Sequence, residues 1–364
     1  MSYIEEVTKS VSYCLLNNMG NSSDIMRLQG VAEQKKGIYY ELDVAENPLG
    51  EGGTGIVRRG VQINEKTGAR RDVAIKFLFN DLSDNIIMRS KREAFIHIVH
   101  ENLVEMLGFV QVGEKDLYGK GNVHYHVISE LLQGVMLLDI INGDVSVQTL
   151  DKYPRVKELY DLYLNDRSLF ARVIVSGVLS GIQALHDHGY IHRDIDPSNI
   201  MITESGKVKL IDLGIAKKLN SITASNEQHL TTMGQFVGKA AYAAPELVRG
   251  DLLHQNQTTD VYAIGVMLYQ ILTGSLPFKG SIQEVLEMQI RKKIPLSKVN
   301  DKRMRKIIKK ATEKKQGSRY QSASEFRVAL DTLDSTIYSN QYIYYLILAL
   351  GGILLGVLLR FFIR

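Results

Sequence analysis

Residues 191–201 read Ile-His-Arg-Asp-Ile-Asp-Pro-Ser-Asn-Ile-Met, and residues 210–214 read Leu-Ile-Asp-Leu-Gly. Asp194 in the first stretch can orient a hydroxyl group and accept its proton. Asn199 and Asp212 supply amide and carboxylate oxygens, which are suitable ligands for Mg²⁺. This spacing predicts a site at which a hydroxyl group reacts beside a divalent cation.

A glycine-rich stretch lies upstream, where residues 49–57 contain Gly-x-Gly-x-x-Gly-x-Val with glycines at Gly50, Gly52 and Gly55. Glycine lets backbone amides approach phosphate groups closely because no side chain intervenes. Dinucleotide-binding folds use a similar string, but there it opens a helix directly. Residues 56–61 instead continue as a β-like run, which favours a hairpin that covers phosphates.

Further motifs follow in a fixed order: Val-Ala-Ile-Lys at 73–76, the apolar run at 126–134, and Ala-Pro-Glu at 244–246. Together with residues 310–326, they make the chain resemble the bacterial, eukaryotic-like serine/threonine protein kinases over about residues 40–334. The resemblance implies an α+β, bilobal protein-kinase fold with a β-rich N-lobe and a helical C-lobe. It also implies ATP as the phosphoryl donor, with Mg²⁺ or, alternatively, Mn²⁺.

The resemblance implies that Lys76 neutralises the nucleotide phosphates and that a glutamate on the following helix holds it in position. We expect that helix at about 90–100, with Glu93 as the partner. Glu101 and Glu105 are nearby alternatives.

Other positions would surround the nucleotide. Backbone groups of Glu130 and Leu132 would bond the adenine, and Ser129 would border the back of its pocket. Apolar residues above and below the base could equally be ordinary core residues. The full set of expected nucleotide-binding residues is Gly50, Gly52, Gly55, Val57, Ala74, Lys76, Glu93, Ser129, Glu130, Leu132 and Met201.

The sequence departs from the family at two positions. Asp196 stands where these kinases usually carry a lysine, and Lys239 stands where they usually carry a threonine. We hypothesise that Lys239 supplies from the other side the cation missing from the 191–201 stretch, and that Asp196 holds it. An unpaired Asp196 beside phosphates would be repulsive. The expected catalytic residues are therefore Asp194, Lys76, Asp196 and Lys239, and the expected metal ligands are Asn199 and Asp212.

The segment before Ala-Pro-Glu carries several hydroxyl side chains, of which Thr231 and Thr232 are the predicted autophosphorylation sites. A phosphorylated segment could dock on Arg193; alternatively, these residues are merely polar. The resemblance further implies a buried ion pair between Glu246 and Arg319, and a helix starting near Asp260 that braces the 191–201 stretch.

Three function classes remain open. The first is an active protein serine/threonine kinase acting on protein substrates. The second, favoured by Asp196, is an inactive kinase fold that binds nucleotide and serves as a membrane scaffold. The third, a small-molecule kinase, fits the long segment before Ala-Pro-Glu less well.

The C-terminus predicts a membrane anchor. No charged residue occurs from 335 to 359, and about 20 apolar residues match the hydrocarbon thickness of a bilayer. The expected organisation is an N-terminal extension at 1–39, a kinase domain at 40–334, a juxtamembrane linker at 335–341 and a transmembrane helix at 342–363. The alternative is a buried terminal helix.

The same segment contains Gly352 and Gly356, a spacing that permits close helix contact and a homodimer. With the helix in a membrane, the kinase domain would face the cytoplasm, where ATP is available. The net charge of +4 does not predict a nucleic-acid partner. The single cysteine, Cys14, excludes an intrachain disulfide.

Two charged stretches remain. Residues 302–315 are dense in lysine and arginine with apolar residues at helical spacing, which predicts either a solvated helix face or a face that touches anionic lipid. Residues 142–167 are expected to form an enlarged surface connection.

Overall fold

The computed structural model describes residues 24–115, 121–213, 217–218 and 239–332. The chain divides into two compact units. The N-terminal unit comprises Met1–Gly134 with Lys209–Ala216, and the C-terminal unit comprises Val135–Val208 with Lys217–Arg364. The first is rich in β-strands and the second is mainly helical, which confirms the expected α+β organisation with a β-rich and a helical lobe.

A seven-stranded antiparallel sheet forms most of the N-terminal unit. Its strands are β1 (Ile25–Leu28), β2 (Ile38–Asp43), β3 (Gly50–Gly52), β4 (Gly55–Asn64), β5 (Arg70–Leu78), β6 (Met106–Lys115) and β7 (Gly121–Glu130). Their order is β1-β2-β4-β5-β7-β6, with β3 paired to β4. Along β5, Val73 and Ile75 are fully buried whereas Ala74 and Lys76 are only partly so, as expected of a strand with one face on the core.

The sheet includes residues that the sequence analysis assigned to an N-terminal extension. Strand β1 pairs with β2 from Ile25↔Asp43 to Leu28↔Tyr40. Met26 and Leu28 are buried in the same cluster as Val73 and Ile128. The first strand therefore completes the hydrophobic core of this unit, and the domain boundary at residue 40 stays a prediction.

Two helices accompany this sheet, α1 (Val31–Lys36) and α2 (Asp84–Ala94). Helix α2 was expected at about 90–100, so its predicted bounds were wrong. Ser83 is its extended N-cap residue, and the helix ends before Phe95. Most side chains at 84–92 are polar, so the hydrophobic spacing of the sequence did not reveal where the helix starts. Glu93 is nevertheless helical and buried.

Helices dominate the C-terminal unit. Their bounds are α3 (Leu137–Asn142), α4 (Val147–Lys152), α5 (Pro154–Asn165), α6 (Arg167–Asp187), α7 (Pro245–Val248), α8 (Gln257–Thr273), α9 (Ile282–Arg291) and α10 (Lys302–Ala311), and residues 323–332 are also helical. Short 3₁₀ turns occupy Pro197–Asn199, Ala240–Tyr242, Leu296–Lys298 and Gln316–Ser318.

The remaining strands are short. They are β8 (Gly134–Met136), β9 (Tyr190–Ile191), β10 (Ile200–Thr203), β11 (Val208–Leu210) and β12 (Lys217–Lys218). Strand β12 pairs antiparallel with β9. The stretch from 191 to 203 therefore follows α6 in the chain, beginning in β9 and ending in β10.

Helices α6 and α8 carry the core of the C-terminal unit. Asp166 caps α6 by accepting a hydrogen bond from the Leu169 N–H at 2.9 Å. A capping box at Asn256 and Thr259 starts α8, which is buried along nearly its whole length. Among the described residues, α6 is the one helix that is long and apolar enough to cross a bilayer, but half of that window is buried inside the protein. It is therefore a core helix.

The expectation for residues 142–167 needs correction. This stretch forms α4 and α5, and it buries Leu150, Val156 and Tyr163 in the C-terminal unit. It is thus part of the hydrophobic core rather than only a surface connection. The predictions for Thr231, Thr232, Gly352, Gly356 and the helix at 342–363 lie outside the described residues.

Candidate active site

The glycine-rich stretch forms the predicted hairpin, with Gly50 opposite Val57 and Gly52 opposite Gly55. The glycines have different surroundings. A Cβ atom on Gly55 would collide with the backbone carbonyl of Phe77, whereas a Cβ on Gly50, Gly52 or Gly53 would meet nothing within 4 Å. Gly55 therefore allows close packing of β4 on β5. The other glycines leave open space beside backbone amides, which fits a phosphate group.

Lys76, Glu93 and Asp212 lie close together in the N-terminal unit. Burial raises the pKa of Glu93 to about 8, the Asp212 carboxylate adds to this rise, and the Lys76 charge opposes it. The Leu213 N–H also donates a hydrogen bond to Glu93 Oε1 at 3.3 Å. A lysine beside these two acidic side chains can contact phosphate oxygens, and the Asp212 carboxylate can bind a metal held by those phosphates.

Of the alternative glutamates, Glu105 has another partner. Its carboxylate forms an ion pair with Arg71, and the hydrogen bond from Arg71 lowers the pKa of Glu105. Glu93 is the buried glutamate whose charge interacts with Lys76. The structure therefore places Glu93, rather than Glu105, at the lysine.

The expected adenine-binding segment continues from β7. Ala74 is opposite Ser129, and Val73 is opposite Glu130. The Glu130 N–H donates to the Glu105 carbonyl at 2.9 Å, so it is the Glu130 carbonyl that could accept a hydrogen bond from a base. Leu132, two residues on, is partly exposed.

Lys209 also contacts this segment, although its sequence position did not predict it. Lys209 forms an ion pair with Glu130 and donates to the Leu103 carbonyl at 3.1 Å. Both partners lie in the N-terminal unit. Nothing in the local sequence marks this lysine, because its partner is 79 residues away.

In the C-terminal unit, the buried carboxylate of Asp260 at the start of α8 holds the stretch after β9. Its oxygens accept hydrogen bonds from the backbone N–H groups of His192 and Arg193, each at 2.8 Å. His186 Nε2 lies 2.7 Å from Asp260 Oδ2. This anchoring holds Arg193 at a φ of 72°, a left-handed conformation that is costly for a residue with a side chain. Asp194 follows immediately.

Although burial raises the pKa of Asp260, hydrogen bonding to His186 and the charges of His186 and His192 outweigh it. The pKa of Asp260 is thus below its usual range. An ionised acceptor is what two backbone donors and a histidine require. This confirms the expectation that the helix starting near Asp260 braces the 191–201 stretch.

Asp194 and Asn199 lie next to each other on this stretch. Asn199 Nδ2 donates to the Asp194 carbonyl at 2.9 Å, which leaves the Asn199 amide oxygen as the atom able to bind a cation. Among the described residues there is no cluster of three or more His, Cys, Asp or Glu that could hold a metal. Mg²⁺ bound with a nucleotide commonly uses one or two protein carboxylates together with phosphate oxygens and water. Met201 follows in β10, partly exposed.

Lys239 and Asp196 form an ion pair, with Nζ 2.6 Å from Oδ1. The Lys239 ammonium also contacts Ser198 Oγ, and the Lys239 N–H donates to Asp194 Oδ1 at 3.2 Å. Ser198 did not figure among the sequence-predicted residues. The structure thus brings together Asp194, Asp196 and Lys239 in one unit, as the hypothesis of exchanged charges requires. Their catalytic roles stay predictions.

The Ala-Pro-Glu motif ends in the predicted buried ion pair. Arg319 Nη1 and Nη2 donate to Glu246 Oε1 and Oε2 at 2.8 and 2.9 Å. Arg319 also donates to the carbonyls of Thr258 and Glu313. This pair fixes the segment that follows Lys239 to the start of α8.

Comparison with known proteins agrees with this geometry. Residues 40–328 match the family described as protein kinase domain. A probable serine/threonine-protein kinase of Clostridium acetobutylicum is 29% identical over 315 residues, covering 82% of this chain and 40% of that protein. Serine/threonine-protein kinase PknB of Mycolicibacterium smegmatis is 30% identical over 267 residues, covering 71% of this chain and 38% of that protein.

A third relative, serine/threonine-protein kinase PrkC of Bacillus subtilis, is 29% identical over 271 residues, covering 72% of this chain and 36% of that protein. The chain therefore spans about two fifths of the length of these curated relatives. The similarity concerns the part of each relative that aligns with this chain.

Proposed function

Because this chain belongs to the protein kinase domain family, we propose that it transfers the γ-phosphoryl group of ATP to serine and threonine hydroxyl groups of proteins. The observation that carries the proposal is the arrangement on residues 192–199. There, a backbone anchored on Asp260 presents Asp194, with Asn199 bonded to it and Lys239 beside it.

Phosphoryl transfer depends mainly on positioning and on neutralising charge. Asp194 would orient the attacking hydroxyl and receive its proton as the bond to phosphorus forms. Lys76, held by Glu93, would neutralise phosphate oxygens, and the glycine hairpin would direct backbone amides at them. Asn199 and Asp212 would hold Mg²⁺, which supplies charge neutralisation when bound.

The test uses the full chain with ATP, Mg²⁺ and a protein acceptor, beside Asp194→Asn. This change keeps the shape of the side chain but removes the carboxylate that orients the hydroxyl. We expect phosphate on serine or threonine, located by mass spectrometry, and a rate about 10²–10⁴-fold lower in the variant. Equal incorporation by both proteins, or phosphate only on tyrosine, would contradict the proposal.

Asp196 motivates the competing proposal of a catalytically weak or inactive kinase fold that binds nucleotide as a scaffold. One side-chain oxygen of Asp196, Oδ2, is buried without a hydrogen-bond partner among the described residues. Nucleotide binding without any transfer, by a full chain in lipid bilayers, would favour this scaffold over the enzyme.

Autophosphorylation belongs to the same proposal. Thr231 and Thr232 precede the Ala-Pro-Glu motif and supply hydroxyl groups of the proposed substrate class. We expect phosphate on one or both in the wild type and none in Asp194→Asn. Phosphate at these positions at equal levels in both proteins would point to another enzyme as its source.

We further propose that residues 342–363 anchor the protein in a membrane with the kinase domain on the cytoplasmic side. The support is compositional, since no charged residue occurs from 335 to 359. A basic surface adds to it: residues 291–315 carry twelve lysines and arginines against two acids, a net charge of +10, whereas the whole chain carries +4. Helix α10 buries Met304, Ile307 and Ile308 on its other side.

Anionic lipid headgroups would attract such a basic surface. The measurement is extraction of membranes with alkaline carbonate, comparing the full chain with a chain that ends at Tyr338. Retention of the full chain alone supports a spanning helix, and equal release of both contradicts it. Gly352 and Gly356 would allow two anchors to pair, which Gly352→Leu should weaken in a crosslinking assay.

A further inference from the structure

We propose that Lys239 binds the γ-phosphate of ATP, and that Asp196 and Ser198 are positioning residues that aim its ammonium group. The inference rests on the proposed function, because it concerns the same phosphoryl donor. It assigns the phosphate contact to a residue 45 positions after Asp194, outside the stretch that carries Asp194 and Asn199.

Charge balance on residues 192–199 provides the first argument. The stretch carries two carboxylates, Asp194 and Asp196. Two negative charges beside a triphosphate repel it unless a cation lies close to them. Lys239 is that cation, since its Nζ lies 2.6 Å from Asp196 Oδ1.

The exposure of the two partners provides the second argument. The Asp196 side chain is only 2% exposed, whereas the Lys239 side chain is 46% exposed. A half-exposed ammonium group avoids part of the desolvation penalty and stays open to a ligand. Here the buried member is fixed, and the accessible member can contact a ligand.

Hydrogen bonding provides the third argument. Asp196 Oδ1 also accepts the Ser198 N–H at 2.7 Å, which holds the carboxylate in one orientation. An ammonium group has three N–H donors. Among the described residues, Asp196 and Ser198 Oγ take two of them, so a third is available for a phosphate oxygen.

The backbone of Lys239 supplies the direction. Its N–H donates to Asp194 Oδ1 at 3.2 Å. The backbone of Lys239 is therefore in contact with the carboxylate that would orient the attacking hydroxyl. The γ-phosphorus must approach that hydroxyl for transfer to occur. Lys239 thus lies beside the carboxylate at which the transferred group would react.

The test compares the affinities for ATP and ADP, because only ATP has the γ-phosphate. Calorimetric titration with Mg²⁺ would be done on the full chain as wild type, Lys239→Met and Lys279→Met. Lys279 is an exposed lysine with no role in the site, so it is the matched control. We expect Lys239→Met to weaken ATP binding about tenfold or more, the loss typical of one hydrogen bond to a charged group, and ADP binding less than about twofold.

Equal weakening of ATP and ADP, or no weakening of either, would overturn the inference. A purely structural role for the pair would lower stability without changing the ratio of the two affinities. The readout does not require turnover. A wild type that prefers ATP through Lys239 but transfers no phosphate would therefore refute the proposed function and leave this inference standing.

A second variant moves the cation across the pair. Lys239→Thr removes it, and Asp196→Lys combined with Lys239→Thr returns it from the other position. We expect the double variant to recover at least about tenfold of the ATP-over-ADP preference lost in Lys239→Thr. A double variant that loses as much of the ATP-over-ADP preference as Lys239→Thr, or more, would contradict the exchange of charges.

Discussion

Two ion pairs of the C-terminal unit contain the same kinds of charged group but differ in how they are enclosed. Glu246 and Arg319 are both buried, with side chains 6% and 0% exposed, and two parallel hydrogen bonds join them. Asp196 is equally buried, but its partner Lys239 is half exposed. Arg319 also donates hydrogen bonds to backbone carbonyls, whereas Lys239 has an N–H donor available for a ligand.

This difference separates a pair that holds the fold from a pair that acts on a substrate. Thr259 Oγ1 adds a further hydrogen bond to Glu246, so the first site is satisfied without any ligand. The second site has a carboxylate oxygen with no hydrogen-bond partner among the described residues and an accessible ammonium group. Removing the cation should therefore cost mainly stability in the first case and mainly ATP selectivity in the second.

The largest effect on stability is expected from Arg319→Met. It leaves Glu246 as a buried charge without a cation, which typically costs about 3–5 kcal/mol. Urea unfolding measures the loss. The control is Arg327→Met, since Arg327 lies in an exposed pair with Asp331. This variant should lower the free energy of unfolding by less than about 0.5 kcal/mol. Similar losses in both variants would remove the distinction between buried and exposed pairs.

The second-largest effect on stability is expected from Asp260→Asn, which should lower the free energy of unfolding by about 2–3 kcal/mol. The reason is that an amide replaces the ionised acceptor of two backbone N–H groups. The folded-state pKa of Asp260 is lowered from 3.8. Its contribution is therefore fully present above pH 3.8 and is lost as the pH falls through the folded-state value. The gap in unfolding free energy between wild type and variant should narrow over that acidic range. A gap that stays constant with pH would contradict this account of Asp260.

Lys239→Met should lower stability less than Arg319→Met, by about 1–2 kcal/mol, since Asp196 keeps the hydrogen bond from the Ser198 N–H and water can take the place of the half-exposed ammonium group. Thermal or urea unfolding of the nucleotide-free protein measures it. A loss as large as that of Arg319→Met would place Lys239 with the structural pairs. The two ion pairs, Glu246–Arg319 and Asp196–Lys239, would then have the same structural role.

The smallest effect is expected from Lys310→Met. Lys310 and Glu325 pair at 2.7 Å with side chains 44% and 43% exposed. Such pairs contribute about 0.2–1 kcal/mol, and salt screens them. Unfolding in low and high salt should show the small difference disappear at about 1 M salt. A loss that persists in high salt would mean that the Lys310 stem contributes through packing on Tyr320 rather than through charge.

How far the sequence predicts each site depends on how local the interaction is. Resemblance to a known family predicted the ion pair between Glu246 and Arg319, because both residues lie in recognisable motifs. Asp196 and Lys239 were paired through charge reasoning, since each replaces a residue of opposite or neutral character. Ser198 and Lys209 carry no such mark, because their partners lie 41 and 79 residues away and only the folded chain brings them together.

Helix and domain limits were less predictable. The helix that carries Glu93 starts at Asp84, ahead of the expected start. Charged and polar residues outnumber Ile86, Ile87 and Met88 at 84–92, so hydrophobic spacing alone did not reveal this start. Strand Ile25–Leu28 was missed because only two of its residues, Met26 and Leu28, face the core. A short edge strand of this kind has too few alternating positions to stand out in a sequence.

The most direct test of phosphoryl transfer uses ATP labelled on either the γ- or the α-phosphorus, with Mg²⁺, a protein acceptor and the full chain. Our account predicts that label reaches serine or threonine only from γ-labelled ATP, and that Asp194→Asn abolishes most of it. Label from α-labelled ATP would mean that the protein transfers a nucleotidyl group. That result would contradict the kinase mechanism proposed for this fold.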